Sequence, residues 1–249
     1  SIRSLMEQTY PKISGSTFDQ AFEQYPFRVP KSQRLQNPGQ GLVALVSELN
    51  LRADPVRAVP MAAYMRNKFP CLGISAPVRR KVVTDSFPTG APTCESEVVQ
   101  IARELFHKDK REFHLAAIDL LVLKRKLMSI DFFNSDAEFF LSTHSWWDSI
   151  DALRPLIGFL VRNNPGSERF MFDWIKSENM WLRRSALIHQ LTQKTNTDSK
   201  RLGELCTIVA GDSEFFVAKA VGWALRDYSA TNPLWVANYV AQHPELTPL

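Results

Sequence analysis

Two tryptophans and two aspartates fall within six residues, Trp146-Trp147-Asp148-Ser149-Ile150-Asp151. On a helix Asp151 lies one turn beyond Trp147, so the two side chains neighbour each other on one surface. A carboxylate on a packed helix face is expensive unless it is paired or has chemical work to do. Asp148 reads differently. Ser145 through Asp148 fits a capping box, with Ser145 as N-cap and Asp148 returning a hydrogen bond. The doublet is therefore not read as a general acid/base pair, and Asp151 remains the candidate acid. Its alternative role is an ion pair with an arginine of a neighbouring segment. Cations follow downstream: Arg183 and Arg184 lie two and three places after Trp181, Lys219 three after Phe216, and Arg226 three after Trp223. An arc of Arg and Lys interleaved with Trp is what a phosphate-backbone groove requires, because cations neutralise phosphates while flat rings pack on sugars or bases. The bland reading is a solvated Arg face over core Trp. Trp174 and Trp235 read as core, and Trp146 points away from the Trp147 face.

The elements that must position these residues are helical. Hairpin signals and sustained alternation are missing, and helical periodicity is broken by polar, proline-bearing joints at 28–40, 87–93, 163–167, 193–199 and 229–233. Segments that open on an aromatic and carry a small residue four places later begin at Phe113, Trp147, Trp181 and Phe216, in steps of 34, 34 and 35 residues. Second helices fall between them at 137–141, 168–175 and 200–209. Two helices per roughly 35 residues is the period of a helix-pair repeat, stacking sideways into a right-handed-type solenoid with a concave groove. The expected fold class is an all-α, HEAT-like solenoid. In its register the fourth residue after the aromatic is Ala117, Asp151, Ser185 or Ala220. Three suit close packing, and the carboxylate is the anomaly.

The chain has 249 residues, 45% hydrophobic, with 30 Lys and Arg against 26 Asp and Glu. That length and composition support a well-developed core, and the small cationic surplus permits nucleic-acid binding without announcing it. Cys71, Cys94 and Cys206 lie far apart with no CxxC pair, and the five histidines form no metal-binding pattern. No metal and no cofactor is expected. With no membrane-length apolar run and no signal-peptide core, the expectation is a soluble, cytoplasmic protein. The stretch 61–83 is also basic, with Arg66, Lys68, Arg79, Arg80 and Lys81 and no acid, and its bland reading is a solvated helix pair. Short amphipathic helices are expected at 17–25 and 41–51, joined by a polar linker.

Tyr64-Met-Arg-Asn-Lys-Phe-Pro-Cys-Leu-Gly-Ile74, followed by Pro77-Val-Arg-Arg80, resembles the opening of the AlkD-like DNA alkylation repair glycosylases. Trp146-Trp-Asp-Ser-Ile-Asp151 is similar to their Trp-Trp-Asp-Thr-Val-Asp motif. Trp181-Leu-Arg-Arg-Ser-Ala186 and the segment from Phe215 to Ser229 resemble two further signatures, in the same order. The resemblance runs from about Pro55 to Pro233. It implies a HEAT-like core over 55–249 whose concave surface holds duplex DNA, preceded by an N-terminal region, 1–54, that matches poorly and is expected to bear on adduct size. It implies hydrolysis of the N-glycosidic bond of N3- and N7-alkylated purines, by a bacterial, nucleoid-associated enzyme expected to act as a monomer. By motif position Asp151 matches the catalytic acid. Trp147 and Trp223 match the pair flanking the lesion's deoxyribose, and Arg226 with one of Arg183 or Arg184 matches cations gripping the DNA backbone, Lys219 lying in the same arc. The chemistry is coherent. A cationic alkylpurine is already a good leaving group, so one carboxylate that stabilises the oxocarbenium ion and orients water suffices where neutral sugars need two. Two rivals stand beside this reading: a catalytically silent DNA-binding relative and a protein-binding solenoid.

Overall fold

The computed structural model describes residues 38–87 and 91–246. These residues belong to one compact unit. Thirteen α-helices run through the described residues, and no strand occurs among them: α1 (Pro38–Leu51), α2 (Pro55–Tyr64), α3 (Ala76–Ser86), α4 (Glu95–Phe106), α5 (Arg111–Leu123), α6 (Asp131–Ser135), α7 (Ala137–Ser142), α8 (Trp147–Asn163), α9 (Glu168–Trp174), α10 (Met180–Ile188), α11 (Ser199–Ile208), α12 (Phe215–Ser229) and α13 (Pro233–Gln242). The expected second helices are present as α7, α9 and α11, within a residue or two of their anticipated ends. The expected 41–51 helix is the body of α1, whereas the 17–25 helix lies outside the described residues.

The caps explain many of these starts. Asp54 accepts from the backbone N–H groups of Val56 and Arg57 at 3.0 and 3.1 Å, with Pro55 at the first helical position of α2. Asn179 accepts from Trp181 before α10, Asp198 from Arg201 before α11, and Asn232 from Trp235 before α13. Each ties off one of the amide donors that a helix N-terminus leaves unpaired.

The helices form two layers of a solenoid. In one, α3, α5, α8, α10 and α12 pack each against the next; in the other, α4 backs α5, α7, α9 and α11 back α10, and α13 backs α12. The repeat register explains the spacing. Ala117, Ser185 and Ala220 are buried where neighbouring helices approach, and Phe113 and Trp181 are core. Gly158 of α8 has the same origin: a Cβ there would come within 2.2 Å of the His189 carbonyl at the end of α10.

Ion pairs spaced about one repeat apart cross the joints: Arg79–Asp119 between α3 and α5, Arg111–Asp148 between α5 and α8, and Arg184–Asp151 between α10 and α8. In the stretch 61–83, Arg66, Lys68, Arg80 and Lys81 are exposed, as in a solvated helix pair, but Arg79 departs from that reading. The stretch comprises the end of α2, a non-helical turn and α3, and Arg79 is buried on Asp119.

Two histidines are sealed in the core. Burial holds both His114 and His189 down to about 4, and each leaves one ring nitrogen without a partner. Because the folded protein binds these protons less readily than the unfolded chain, their contribution to stability is complete above the ordinary histidine value. It is lost as pH falls from about 6.5 toward about 4. Denaturation in urea at pH 7.5 and pH 5 should differ by on the order of a few kcal/mol, with the acid sample weaker. Equal midpoints with equal slopes would exclude this account.

Candidate active site

Asp151 and Arg184 form the centre. Arg184 Nε and Nη2 each donate to one carboxylate oxygen of Asp151 at 3.0 Å, a bidentate pairing. The remaining guanidinium nitrogen, Nη1, donates to the Phe216 carbonyl at 2.8 Å. One arginine on α10 thus ties α8 to the first turn of α12. Its side chain is 4% exposed, whereas that of Asp151 is 19% exposed, so the carboxylate keeps an open edge while its partner sits in the wall. The Arg184 guanidinium also lies 5.8 Å from the centre of the Trp223 ring. Asp151 and Trp223 thus share one cation, and the half-buried Trp147 lies one helical turn before Asp151 on α8. Burial raises the Asp151 carboxyl above its ordinary range, against the opposing pull of Arg184 and Arg154.

The helix carrying Asp151 is itself unusual. Pro155, four residues on, has no N–H to offer the Asp151 carbonyl, so the α-helical bond of this turn is missing. Arg154 lies between, donating to the Leu191 carbonyl at 3.0 Å, while its Nε is buried without a partner.

The cap ahead of the site differs from the sequence expectation. Ser145 does not cap α8; its hydroxyl donates to the Leu141 carbonyl at 2.6 Å. Trp146 is the N-cap residue, and Ser149 closes the turn by accepting from the Trp146 N–H at 3.2 Å. Asp148 makes no box. Its carboxylate is held by the buried Arg111 of α5, whose Nε donates at 3.1 Å. A buried guanidinium in the preceding repeat needs an anion, and that requirement prevails over the local capping pattern.

The cations divide into two kinds. Arg183 is committed inside the protein, donating to Asp212 at 2.8 Å and to the Ser177 and Glu178 carbonyls. Arg184 is committed to Asp151. Lys219 and Arg226 are exposed on α12, with the Lys219 ammonium 5.3 Å from the exposed Phe215 ring. Of the four cations read from sequence, these two are free to meet a phosphate. Trp174 and Trp235 are packed as expected: the first donates to Glu138, and the second stacks on Tyr239. Trp146 is buried against Trp181 and Phe216.

Two further residues join the site that their spacing in sequence did not bring out. Tyr64 closes α2 with 73% of its surface exposed and meets the Trp147 ring edge-on at 5.9 Å. Lys68 places its ammonium 4.7 Å from the Trp146 ring. The available signal was the tyrosine that opens the family-like motif from Tyr64 to Ile74.

An α-solenoid with a partly exposed carboxylate, a buried arginine holding it, a tryptophan beside that arginine and exposed cations on the next helix describes a class: a helical-repeat protein with one candidate acid beside free cations. The sequence pattern of the family described as DNA alkylation repair enzyme matches residues 45–249. The chain belongs to that family. Among solved structures it is similar to a predicted DNA alkylation repair enzyme from Enterococcus faecalis, with 30% sequence identity and a TM-score of 0.66 over 76% of this chain and 89% of that one. Comparison with curated proteins gave no match.

Proposed function

We propose that this protein is a monofunctional DNA glycosylase that hydrolyses the N-glycosidic bond of N3- and N7-alkylated purines in duplex DNA. The observation that carries the proposal is the Asp151–Arg184 pair with Trp223 beside it and Trp147 a turn away. Asp151 is the catalytic acid in the sense of a fixed negative charge. Its open edge faces the oxocarbenium ion that forms as the cationic base departs, and it orients the attacking water. Trp147 and Trp223 flank the sugar and favour its developing charge by about 1 kcal/mol or more when water is excluded. Arg184 acts as a positioning residue rather than a phosphate contact, because its donors are committed to Asp151 and Phe216. Arg226 and Lys219, exposed on α12, grip the DNA backbone along the concave HEAT-like surface. No cofactor enters the reaction. The protein is expected to work as a monomer in the bacterial cytoplasm, with duplex DNA as its partner.

The deciding experiment incubates the protein with a duplex carrying one 7-methylguanine or 3-methyladenine and follows free base. Release of the methylated base, leaving an abasic site and an uncut strand, is the expected result. Tight, salt-sensitive binding without release would identify a silent DNA-binding relative. Absence of binding would identify a protein-binding scaffold.

A further inference from the structure

The adjacent residues Arg111 and Glu112 open α5 and are among the most deeply buried charges of the molecule, at 2% and 1% exposure. They do not pair with each other. Arg111 reaches toward α8: it grips Asp148, and Nη1 donates to the His144 carbonyl at 2.6 Å. Its guanidinium also lies 4.0 Å from the Phe69 ring centre, and its backbone N–H donates to the Pro70 carbonyl at 2.9 Å. Glu112 reaches the other way. Its carboxylate accepts three consecutive backbone N–H groups, from Leu72 at 2.7 Å, Gly73 at 2.8 Å and Ile74 at 3.1 Å. A carboxylate that takes three amides ties a turn down firmly, since each bond is charge-assisted and shielded from water.

That turn is irregular and runs through unusual backbone conformations. Arg66 and Asn67 sit at φ of 54° and 53°, and Gly73 at 90°. A Cβ on Gly73 would come within 2.1 Å of the Asp54 carbonyl, so the turn is pressed against the start of α2. The Asp54 N–H completes the seam by donating to the Leu72 carbonyl at 2.8 Å. What the turn presents is Tyr64 at one end, edge-on to Trp147, and Lys68 over Trp146. The two walls of the site, the 64–74 turn and the first turn of α8, are therefore fixed to one dipeptide behind both.

We infer that Arg111 and Glu112 are positioning residues for the glycosidic reaction: a buried two-armed brace that sets the gap between Tyr64 and Trp147. The inference rests on the glycosylase reading for its catalytic consequence, but the brace itself is measurable without turnover. Glu112→Gln keeps the size of the side chain and substitutes an N–H donor for one of its acceptor oxygens. Amide exchange at Leu72, Gly73 and Ile74 should accelerate at least about tenfold, the equivalent of about 1.4 kcal/mol, while amides within α10 keep their protection. The Trp147 indole resonance, identified by its loss in Trp147→Phe, should move. Single-turnover base release should fall about tenfold or more, with affinity for undamaged duplex changing far less, because Lys219 and Arg226 are not on the turn. Asp148→Asn cuts the opposite arm and should reproduce the indole shift and the rate loss while leaving exchange at 72–74 much as it was; it also serves if Glu112→Gln does not fold. An unmoved Trp147 resonance in both variants overturns the brace. A moved resonance with an unchanged release rate overturns its catalytic role. If wild type releases no base, the glycosylase reading fails, whereas the exchange and resonance arms still decide whether the brace exists.

Discussion

Asp151→Asn is expected to slow the release of 7-methylguanine by about 10²–10³-fold, the cost of removing one preorganised electrostatic group from a transition state, while the DNA complex still forms. Asparagine matches aspartate in shape, so α8 should still form, although the buried Arg184 loses its counter-charge and the protein should be less stable. What changes is charge. The open edge of the side chain no longer presents a full negative charge to the sugar, and an amide nitrogen now faces the Arg184 donors that were aimed at a carboxylate oxygen. The leaving purine is unaffected because it carries its own positive charge, so the loss should appear in the chemical step rather than in binding. Single-turnover rates beside a fluorescence-anisotropy titration separate the two. A mutant that releases base at the wild-type rate would remove Asp151 from the mechanism.

Arg184→Met should be the most disruptive single change in the site, because it acts on both stability and rate. It leaves a buried carboxylate without its partner and the Phe216 carbonyl without its donor. Breaking one side of a buried ion pair typically costs about 3–5 kcal/mol, which for a chain of this size lowers Tm by roughly 10 °C. Burial already raises the Asp151 carboxyl, and Arg184 is the largest influence holding it down. With that cation gone the carboxyl rises further. The active form is the ionised one, so the acid limb of the pH–rate profile should move toward neutrality and activity should survive only on its alkaline side. Arg184→Lys should recover part of the charge but not the two-point grip. The double variant Asp151→Asn/Arg184→Met should be less unstable than the sum of the singles, as expected for directly coupled partners. A profile with an unmoved acid limb would show that Arg184 serves the fold alone.

The repeat was legible in the sequence because it is written in residue sizes: aromatics to fill the helix joint and small residues where helices touch, at a period that needs no knowledge of the partner. For the same reason Asp151 stood out as a carboxylate in a small-residue register. The alternative role read for it, an ion pair with an arginine of a neighbouring segment, is what the structure holds, but which arginine was not legible. Arg184 lies 33 positions away, and helical position indicates which face it starts from but not where a long flexible side chain ends. Read from its own helix it looks like a cation for DNA; stacked against the previous repeat it meets Asp151 at the distance of a salt bridge. Asp148 shows the same limit from the other side. A local capping pattern was present, yet the nearest strong claim on that carboxylate came from Arg111, 37 positions earlier. The turn holding Tyr64 was hidden because its order comes from three backbone amides converging on Glu112, and amides carry no sequence signature.

The cross-repeat ion pairs also make the site indivisible. Trp147 and Asp151 stand on α8, Arg184 on α10, and Trp223 with the Phe216 carbonyl on α12, while α5 supplies the anchor for Asp148. No helix pair holds the proposed site alone, and each contributes one half of a contact whose other half is on its neighbour. In a linear array whose energetics are dominated by nearest neighbours, the ends can grow, shrink or change partners at modest cost. Between α5 and α12 they cannot. Excising or duplicating one unit there would pull a carboxylate from its arginine and a tryptophan from its acid in a single step, so the middle of this solenoid has a fixed length although its repeats are built alike.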